Sequence, residues 1–251
     1  MATYPGGKAG DGVYQTIINQ LPPHDTYIEA FAGGAAIARH KRPAAETILI
    51  DRHRPALDAL SPLAAQIGAR IICGDALAWL AERRWTGREL VYLDPPYVRS
   101  ARKSARDLYA FEMDDADHER LLDIATAIPC PVAISGYASD LYERRLTGWR
   151  QITFQARTRG GGSATEILWM NYPPPSALHD YTHLGADYQE RERIKKKVRR
   201  WESRLAGLPH TERLALLSAM LQHPPPDILA EMASTASNDD AGRQAPPEMA
   251  V

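Results

Sequence analysis

The chain has 251 residues, 44% of them hydrophobic and 24% charged, with a formal net charge of -1. That length supports one substantial core with room for a small appended element. The near-neutral balance excludes a partner held by the field of the whole molecule, so a polyanion would have to be met by local clusters of Lys and Arg.

Up to residue 176 short apolar runs alternate with longer amphipathic stretches, the pattern of an α/β domain whose parallel sheet is covered by helices on both faces. In chain order, strands are expected at Thr26 to Ala30, Thr47 to Ile50, Arg70 to Cys73, Leu90 to Leu93, Val132 to Ser135 and Ile167 to Met170, each brief and apolar as doubly buried strands are. Between them Ala35 to Lys41, Pro55 to Ile67, Ala76 to Arg83 and Asp115 to Ala127 read as helices, the last capped by Asp114 or Asp115. Pro173-Pro174-Pro175 can continue neither a helix nor a central strand, so the catalytic domain is expected to occupy residues 1–176. Residues 177–232 follow as a basic helical extension. In it Tyr188 to Leu205 concentrates Arg and Lys, and Thr211 to Leu221 repeats Leu at helical spacing. Ser, Asn, Asp, Gly and Pro dominate residues 233–251, where a disordered tail is expected.

The two cysteines, Cys73 and Cys130, are too few for a disulfide framework or a four-cysteine zinc site, and buried free thiols in a reducing compartment are expected. His24, His40, His53 and His118 show no metal-ligand spacing, and no metal is expected. Met1 to Lys8 lacks an apolar signal core and no run approaches the roughly 18 apolar residues of a membrane span. A cytoplasmic protein without a membrane partner is the expectation.

The most informative segment is Leu90-Val91-Tyr92-Leu93 followed at once by Asp94-Pro95-Pro96-Tyr97. Ligands of open α/β sheets bind beyond strand carboxyl ends. Consecutive prolines fix the backbone and remove two donors, leaving stiff carbonyls beside the Asp94 carboxylate. Such a group of acceptors suits an amine. An exocyclic amine is a poor nucleophile because its lone pair is delocalised into the ring, and hydrogen bonds from it to Asp94 and the Pro95 carbonyl localise that pair on nitrogen. The Tyr97 ring offers a surface on which an extruded base can stack. By itself the tetrapeptide reads equally well as a Pro-rich turn with an acidic helix cap.

Earlier strand ends supply context. Tyr27-Ile28-Glu29-Ala30-Phe31-Ala32-Gly33-Gly34 runs from a strand into a small-residue turn that lets a cofactor approach the backbone, although a mere tight connection has the same appearance. Glu29, Phe31 and Gly33 of this segment are candidate cofactor contacts. Asp51 ends the second strand about 20 residues past the glycines, where an acid accepts hydrogen bonds from ribose hydroxyls. Asp75 ends the third and is a candidate acceptor for the adenine amino group of the same cofactor, or simply a helix cap.

With Tyr4-Pro5-Gly6-Gly7-Lys8 ahead of the turn, the series resembles the Dam-type, or D12-class, DNA adenine-N6 methyltransferases. That family opens with an aromatic residue, one variable residue and Gly-Gly-Lys, continues through F-x-G-G and an acid after the second strand, and then reaches D-P-P-Y. Glu166-Ile167-Leu168-Trp169-Met170-Asn171-Tyr172 is similar to its late E-x-L-x-x-N-Y strand. The resemblance implies a Rossmann-like fold and the cofactor S-adenosyl-L-methionine, contacted by Tyr4, Lys8, Asp51 and Asp94. It also implies a flipped adenine held by Asp94, Pro95, Pro96 and Tyr97. Double-stranded DNA is the implied partner, a cognate restriction endonuclease a further candidate, and a monomer is assumed. Methylation of another amine (cytosine N4, an RNA adenine, a protein glutamine) and non-catalytic DNA binding are the alternatives.

One departure concerns target recognition. Dam-type enzymes commonly insert a sequence-reading domain before D-P-P-Y, and here Ala76 to Leu93 has room for one helix and one strand only. The remaining candidates are Arg99, Arg102, Lys103 and Arg106 after the catalytic loop, and Lys195, Lys196 and Lys197 of the basic helix. Both groups are suited to phosphate or guanine contacts, and both are also compatible with solvated surface charge.

Overall fold

A computed structural model of the chain describes residues 7–10, 12–102, 109–157 and 162–222. The sequence expectations for Tyr4, Lys103, Arg106 and the tail at 233–251 lie outside these residues. Two compact units divide between Leu184 and Gly185.

The first unit is a Rossmann-like α/β domain. Its strands are β1 (Thr26–Ala30), β2 (Glu46–Asp51), β3 (Ala69–Cys73), β4 (Glu89–Leu93), β5 (Val132–Gly136), β6 (Arg150–Arg157) and β7 (Ser163–Met170). They form one seven-stranded sheet in the order β3-β2-β1-β4-β5-β7-β6. The pairings of β1 with β2 and β4, of β2 with β3 and of β4 with β5 are parallel. The Rossmann-like sheet expected from the sequence is present, and at one side of it β7 runs antiparallel to both β5 and β6. β6 is the strand without a sequence expectation, because it is an edge strand whose inward positions, led by Phe154 and Ala156, alternate with exposed ones.

Six helices cover the sheet: α1 (Val13–Ile18), α2 (Ala36–His40), α3 (Arg54–Ile67), α4 (Ala76–Glu82), α5 (Asp115–Ala127) and α6 (Asp140–Arg145). Ile17, Ile37 and Leu60 of α1 to α3 share one core with Tyr27, Leu49, Tyr92 and Leu168 of the sheet. Leu80, Leu121 and Tyr142 of α4 to α6 share the other with Ile28, Ile50, Leu93 and Trp169. Period-2 alternation along each strand thus feeds both faces, which is why the central strands read as continuous apolar runs. Asp114 caps α5 by accepting a 2.8 Å bond from the Asp117 amide. Cys130 is buried, but Cys73 is exposed. The expectation of two buried thiols fails there because β3 lies at the open edge of the sheet.

Residues 177–184 belong to the first unit, and the bonds that fasten them are specific. The His179 amide donates to the Leu21 carbonyl (3.0 Å), the Asp180 carboxylate accepts from the Arg42 amide (2.7 Å), and the His183 carbonyl accepts from Asn19 Nδ2 (2.8 Å). The His179 ring stacks on His24 with centroids 3.8 Å apart, and Tyr14 stacks on His40 at 3.9 Å.

The second unit contains α7 (Tyr188–Ala206) and α8 (His210–Gln222). Asp187 caps α7 through the Glu190 amide. Lys196 and Lys197 are exposed along α7, whereas Lys195 is half-buried and lies 3.4 Å from Glu192. No helix among the described residues is long and apolar enough to cross a membrane.

Candidate active site

The chain leaves β3 at one edge of the sheet and resumes as β4 on the far side of β1. The carboxyl ends of β1 and β4 therefore flank the point at which strand order reverses, the crevice where open α/β sheets bind ligands. A cleft of about 780 Å³, its open mouth included, lies there and is lined by Lys8, Glu29, Phe31, Gly33, Asp51 and Asp94 among others.

The turn after β1 has an unusual backbone. Phe31 and Ala35 take left-handed conformations at φ 62° and 47°, as does Gly33 at φ 49°. A bulky residue at positive φ is strained, and such strain persists where surrounding contacts fix it, commonly at functional sites. Two carboxylates do the fixing. Asp51 accepts from the Gly33 amide (2.8 Å) and from the His53 amide (2.7 Å), tying the turn to the end of β2. Glu29 accepts from the Ala38 amide (2.8 Å) and the Tyr27 hydroxyl (3.1 Å), and so supplies α2 with the cap that Ala35 at its N-terminus lacks. Burial pushes the Glu29 carboxyl up to about 7, against the lowering effect of those two bonds.

Asp75 does not line the cleft. Its side chain caps α4 through the Leu77 amide (2.8 Å) and pairs with Arg52 (2.6 Å). Burial works to raise its carboxyl, but Arg52 and the amides of α4 outweigh it and hold the group below its ordinary value. Its neighbours Gly74 and Ala76 do line the cleft, as do Tyr109 and Phe111, two aromatic residues for which the sequence offered no expectation. The Phe111 ring, 49% exposed, stands edge-on to His53 at 6.5 Å.

At the end of β4 the side chains that matter form one connected polar network. Lys8 Nζ donates to both Asp94 oxygens (2.7 and 2.8 Å) and to the Tyr97 hydroxyl (2.7 Å). The Tyr97 hydroxyl donates to Glu166 Oε2 (2.7 Å), which also lies 3.4 Å from Lys8 Nζ. Ser135 Oγ donates to Asp94 (2.7 Å) and contacts the Tyr92 hydroxyl at 3.0 Å. Four segments meet here: the stretch around Lys8, β4 with the loop after it, β5 and β7. Burial depresses the Lys8 ammonium, but the Asp94 and Glu166 carboxylates overcome it and its pKa ends above the ordinary lysine value. Burial pushes the Glu166 carboxyl up, with Lys8 opposing. Burial, then the charges of Asp94 and Glu166, hold the Tyr97 phenol well above its usual range, so it stays protonated and able to donate.

The Tyr97 ring is not an open platform. The residue is 4% exposed, and the ring meets Tyr137 edge to face at 4.6 Å. Pro95 is buried behind the loop, while Pro96 borders the cleft.

Of the basic residues expected to face DNA, Arg99 is exposed in a short 3-10 turn directly after the loop. Arg102 is turned inward. Its guanidinium makes a two-pronged pair with Glu112 (2.9 and 2.6 Å) and its Nε donates to the Tyr97 carbonyl (2.6 Å), leaving the side chain 4% exposed. This corrects the expectation of a DNA contact: Arg102 ties the loop after β4 to the segment that presents Tyr109 and Phe111.

The sequence matches no protein-family model and no curated protein. Solved structures to which the chain is similar include a precorrin-6y C5,15-methyltransferase from Geobacter metallireducens, 11% identical with a TM-score of 0.42 over 66% of this chain and 90% of that one. An rRNA methylase from Streptococcus thermophilus is 11% identical with a TM-score of 0.40, covering 62% of this chain and 92% of that one. A SAM-dependent methyltransferase from Agrobacterium tumefaciens is 15% identical with a TM-score of 0.40, over 62% and 58% of the respective chains.

Proposed function

We propose that the chain is an S-adenosylmethionine-dependent DNA methyltransferase acting on adenine N6. The observation that carries this reading is the Asp94 carboxylate, set at the strand-order reversal with both oxygens directed at a nitrogen donor, that of Lys8.

The residues of the cleft fit the cofactor. The glycine turn allows close backbone approach, Asp51 keeps lone pairs for a ribose diol, Phe31 and Phe111 offer apolar surfaces for a purine, and Asp94 gives the anionic surroundings a sulfonium prefers. When bound, S-adenosylmethionine supplies an electrophilic methyl group and departs as S-adenosylhomocysteine. The protein's part is positioning and charge. Asp94 and the Pro95 carbonyl accept the two N6 hydrogens, which concentrates the nitrogen lone pair toward the cofactor side. Asp94, or water beside it, takes the proton that N6 loses. The rigid Pro95-Pro96 backbone holds these acceptors in register, and Tyr97, buried against Tyr137, braces the loop behind them.

Arg99 and the basic side of α7, with Lys195, Lys196 and Lys197, are assigned to the DNA backbone. Replacing the three lysines by Gln should weaken DNA binding without regard to sequence and flatten its salt dependence by about 3 phosphate contacts.

The test of the reaction is nucleoside mass spectrometry on DNA treated with protein and labelled cofactor. Labelled N6-methyladenine, absent with Asp94→Ala, is the expected result. Label on cytosine, on RNA or on protein only, or full activity of the Asp94→Ala protein, would refute the reading.

A further inference from the structure

Glu166 has a place in the late strand motif but no role there. It sits on β7, 4% exposed, and its Oε2 faces two groups of the loop network, Tyr97 at 2.7 Å and Lys8 at 3.4 Å. Lys8 is itself 2% exposed, so its ammonium has little recourse to water.

Two carboxylates therefore compete for one buried cation. In the structure Asp94 holds it with both oxygens. While it does so, Asp94 cannot accept the hydrogens of a base amine through those same lone pairs at full strength. Withdrawing Lys8 from Asp94 with nothing else to receive it would strand an unpaired charge in a site with little water, which is strongly disfavoured. Glu166 offers the alternative at a slightly longer distance, and the Tyr97 hydroxyl, accepting from Lys8 and donating to Glu166, bridges the two positions.

We propose that Glu166 is a positioning residue that anchors Tyr97 and takes up the Lys8 ammonium when Asp94 engages the substrate amine. It does not touch substrate; it acts through Lys8 and Tyr97. The inference rests on the assignment of Asp94 as acceptor of the target amine.

Two variants separate charge from shape. Glu166→Gln keeps the size and the acceptor for Tyr97 but removes the charge, whereas Glu166→Asp keeps the charge on a shorter stem. kcat and KM for methyl transfer to duplex DNA, the cofactor dissociation constant by calorimetry and the thermal transition would be measured for both. The expected result is a fall in kcat of at least tenfold in E166Q, a smaller fall in E166D, cofactor binding within about threefold of wild type and an intact thermal transition. A space-filling role predicts the opposite order, with E166Q the more active of the two. That order, an E166Q protein within twofold of wild type in kcat, or loss of its folded transition would each overturn the proposal. A wild-type protein that makes no N6-methyladenine overturns the functional reading and this inference with it; wild-type transfer combined with the wrong order of variants overturns the inference alone.

Discussion

The Lys8 ammonium stands 2.7 and 2.8 Å from the two oxygens of Asp94, so the acceptor assigned to a base amine is already shaped around a nitrogen that donates hydrogens. Asp94→Asn retains one acceptor oxygen but adds an amide donor and removes the charge. It should reduce methyl transfer by roughly a hundredfold or more, within the range for loss of a positioned acid-base group. Lys8→Met leaves Glu166 and Asp94 without their cation and should lower unfolding free energy by about 3 kcal/mol, as for a broken buried pair. Urea unfolding with an unchanged midpoint would contradict this.

Arg102 and Glu112 are predicted to matter for the integrity of the loop. Arg102→Lys cannot reproduce the two-pronged pair and simultaneous bond to the Tyr97 carbonyl. It should cost about 2 kcal/mol, below the full loss for a broken buried pair because a cation remains, and should reduce transfer more than it reduces DNA affinity. A variant that lost DNA affinity alone, with stability and single-turnover rate unchanged, would restore Arg102 to the DNA surface.

Glu29 makes stability depend on pH in an uncommon direction. Its carboxyl moves from an ordinary 4.5 to about 7 in the folded protein. A carboxyl raised on folding contributes stability that is complete below pH 4.5 and is lost as pH rises through about 7, because over that window the unfolded carboxyl ionises while the buried one holds its proton. Glu29→Gln keeps an acceptor for the Ala38 amide and cannot ionise. The difference in unfolding free energy between the two proteins should therefore shift in favour of Gln by on the order of 2 kcal/mol between pH 4.5 and 7.5. A difference independent of pH would show that folding does not raise the Glu29 carboxyl.

The segment His179–Leu184 is expected to loosen in acid. Burial, with Lys41 second, lowers the His24 imidazole to about 2 and the His179 imidazole to about 4. Groups depressed on folding contribute stability that is present above their unfolded value of 6.5 and is lost as pH falls toward the folded values. Charging either ring would also place a cation against its stacked partner. Hydrogen exchange should show lower protection of the His179 and Leu184 amides at pH 4.5 than at pH 7, after correction for intrinsic rates. The change should be smaller in His24→Phe, and equal protection at both pH values would remove the histidines from the argument.

How much of this was foreseeable differs by element. The six strands read from apolar runs are all present, since a strand buried on both faces writes its position directly into hydropathy. β6 was not, because its alternation of Phe154 and Ala156 with polar residues resembles an irregular surface stretch. Asp51, Asp94 and the glycine turn stand at strand ends and border the cleft; their strand-end position, spacing and motif are all legible in the sequence. The role of Arg102 is not legible because its partner Glu112 lies 10 residues further on, and a charge read from sequence carries no direction. Tyr109 and Phe111 carry no motif, and only the path of the chain brings them to the cleft. Glu166 was seen as part of a pattern but not as a charge beside Lys8, a relation created by the reversed direction of β7.

That reversal has a consequence for the order in which the protein is made. Because β7 runs against its neighbour β5, an early stretch of the strand reaches the rim of the sheet where Lys8 and Asp94 already wait. A nascent chain that has emerged only through Leu146 contains the glycine turn, Asp51 and the Asp94 loop, yet it lacks Glu166. That carboxylate arrives with the last hairpin. The network is therefore completed by one of the final segments of the domain to be synthesised, and a truncated chain would keep Lys8 on Asp94 with no Glu166 to receive it.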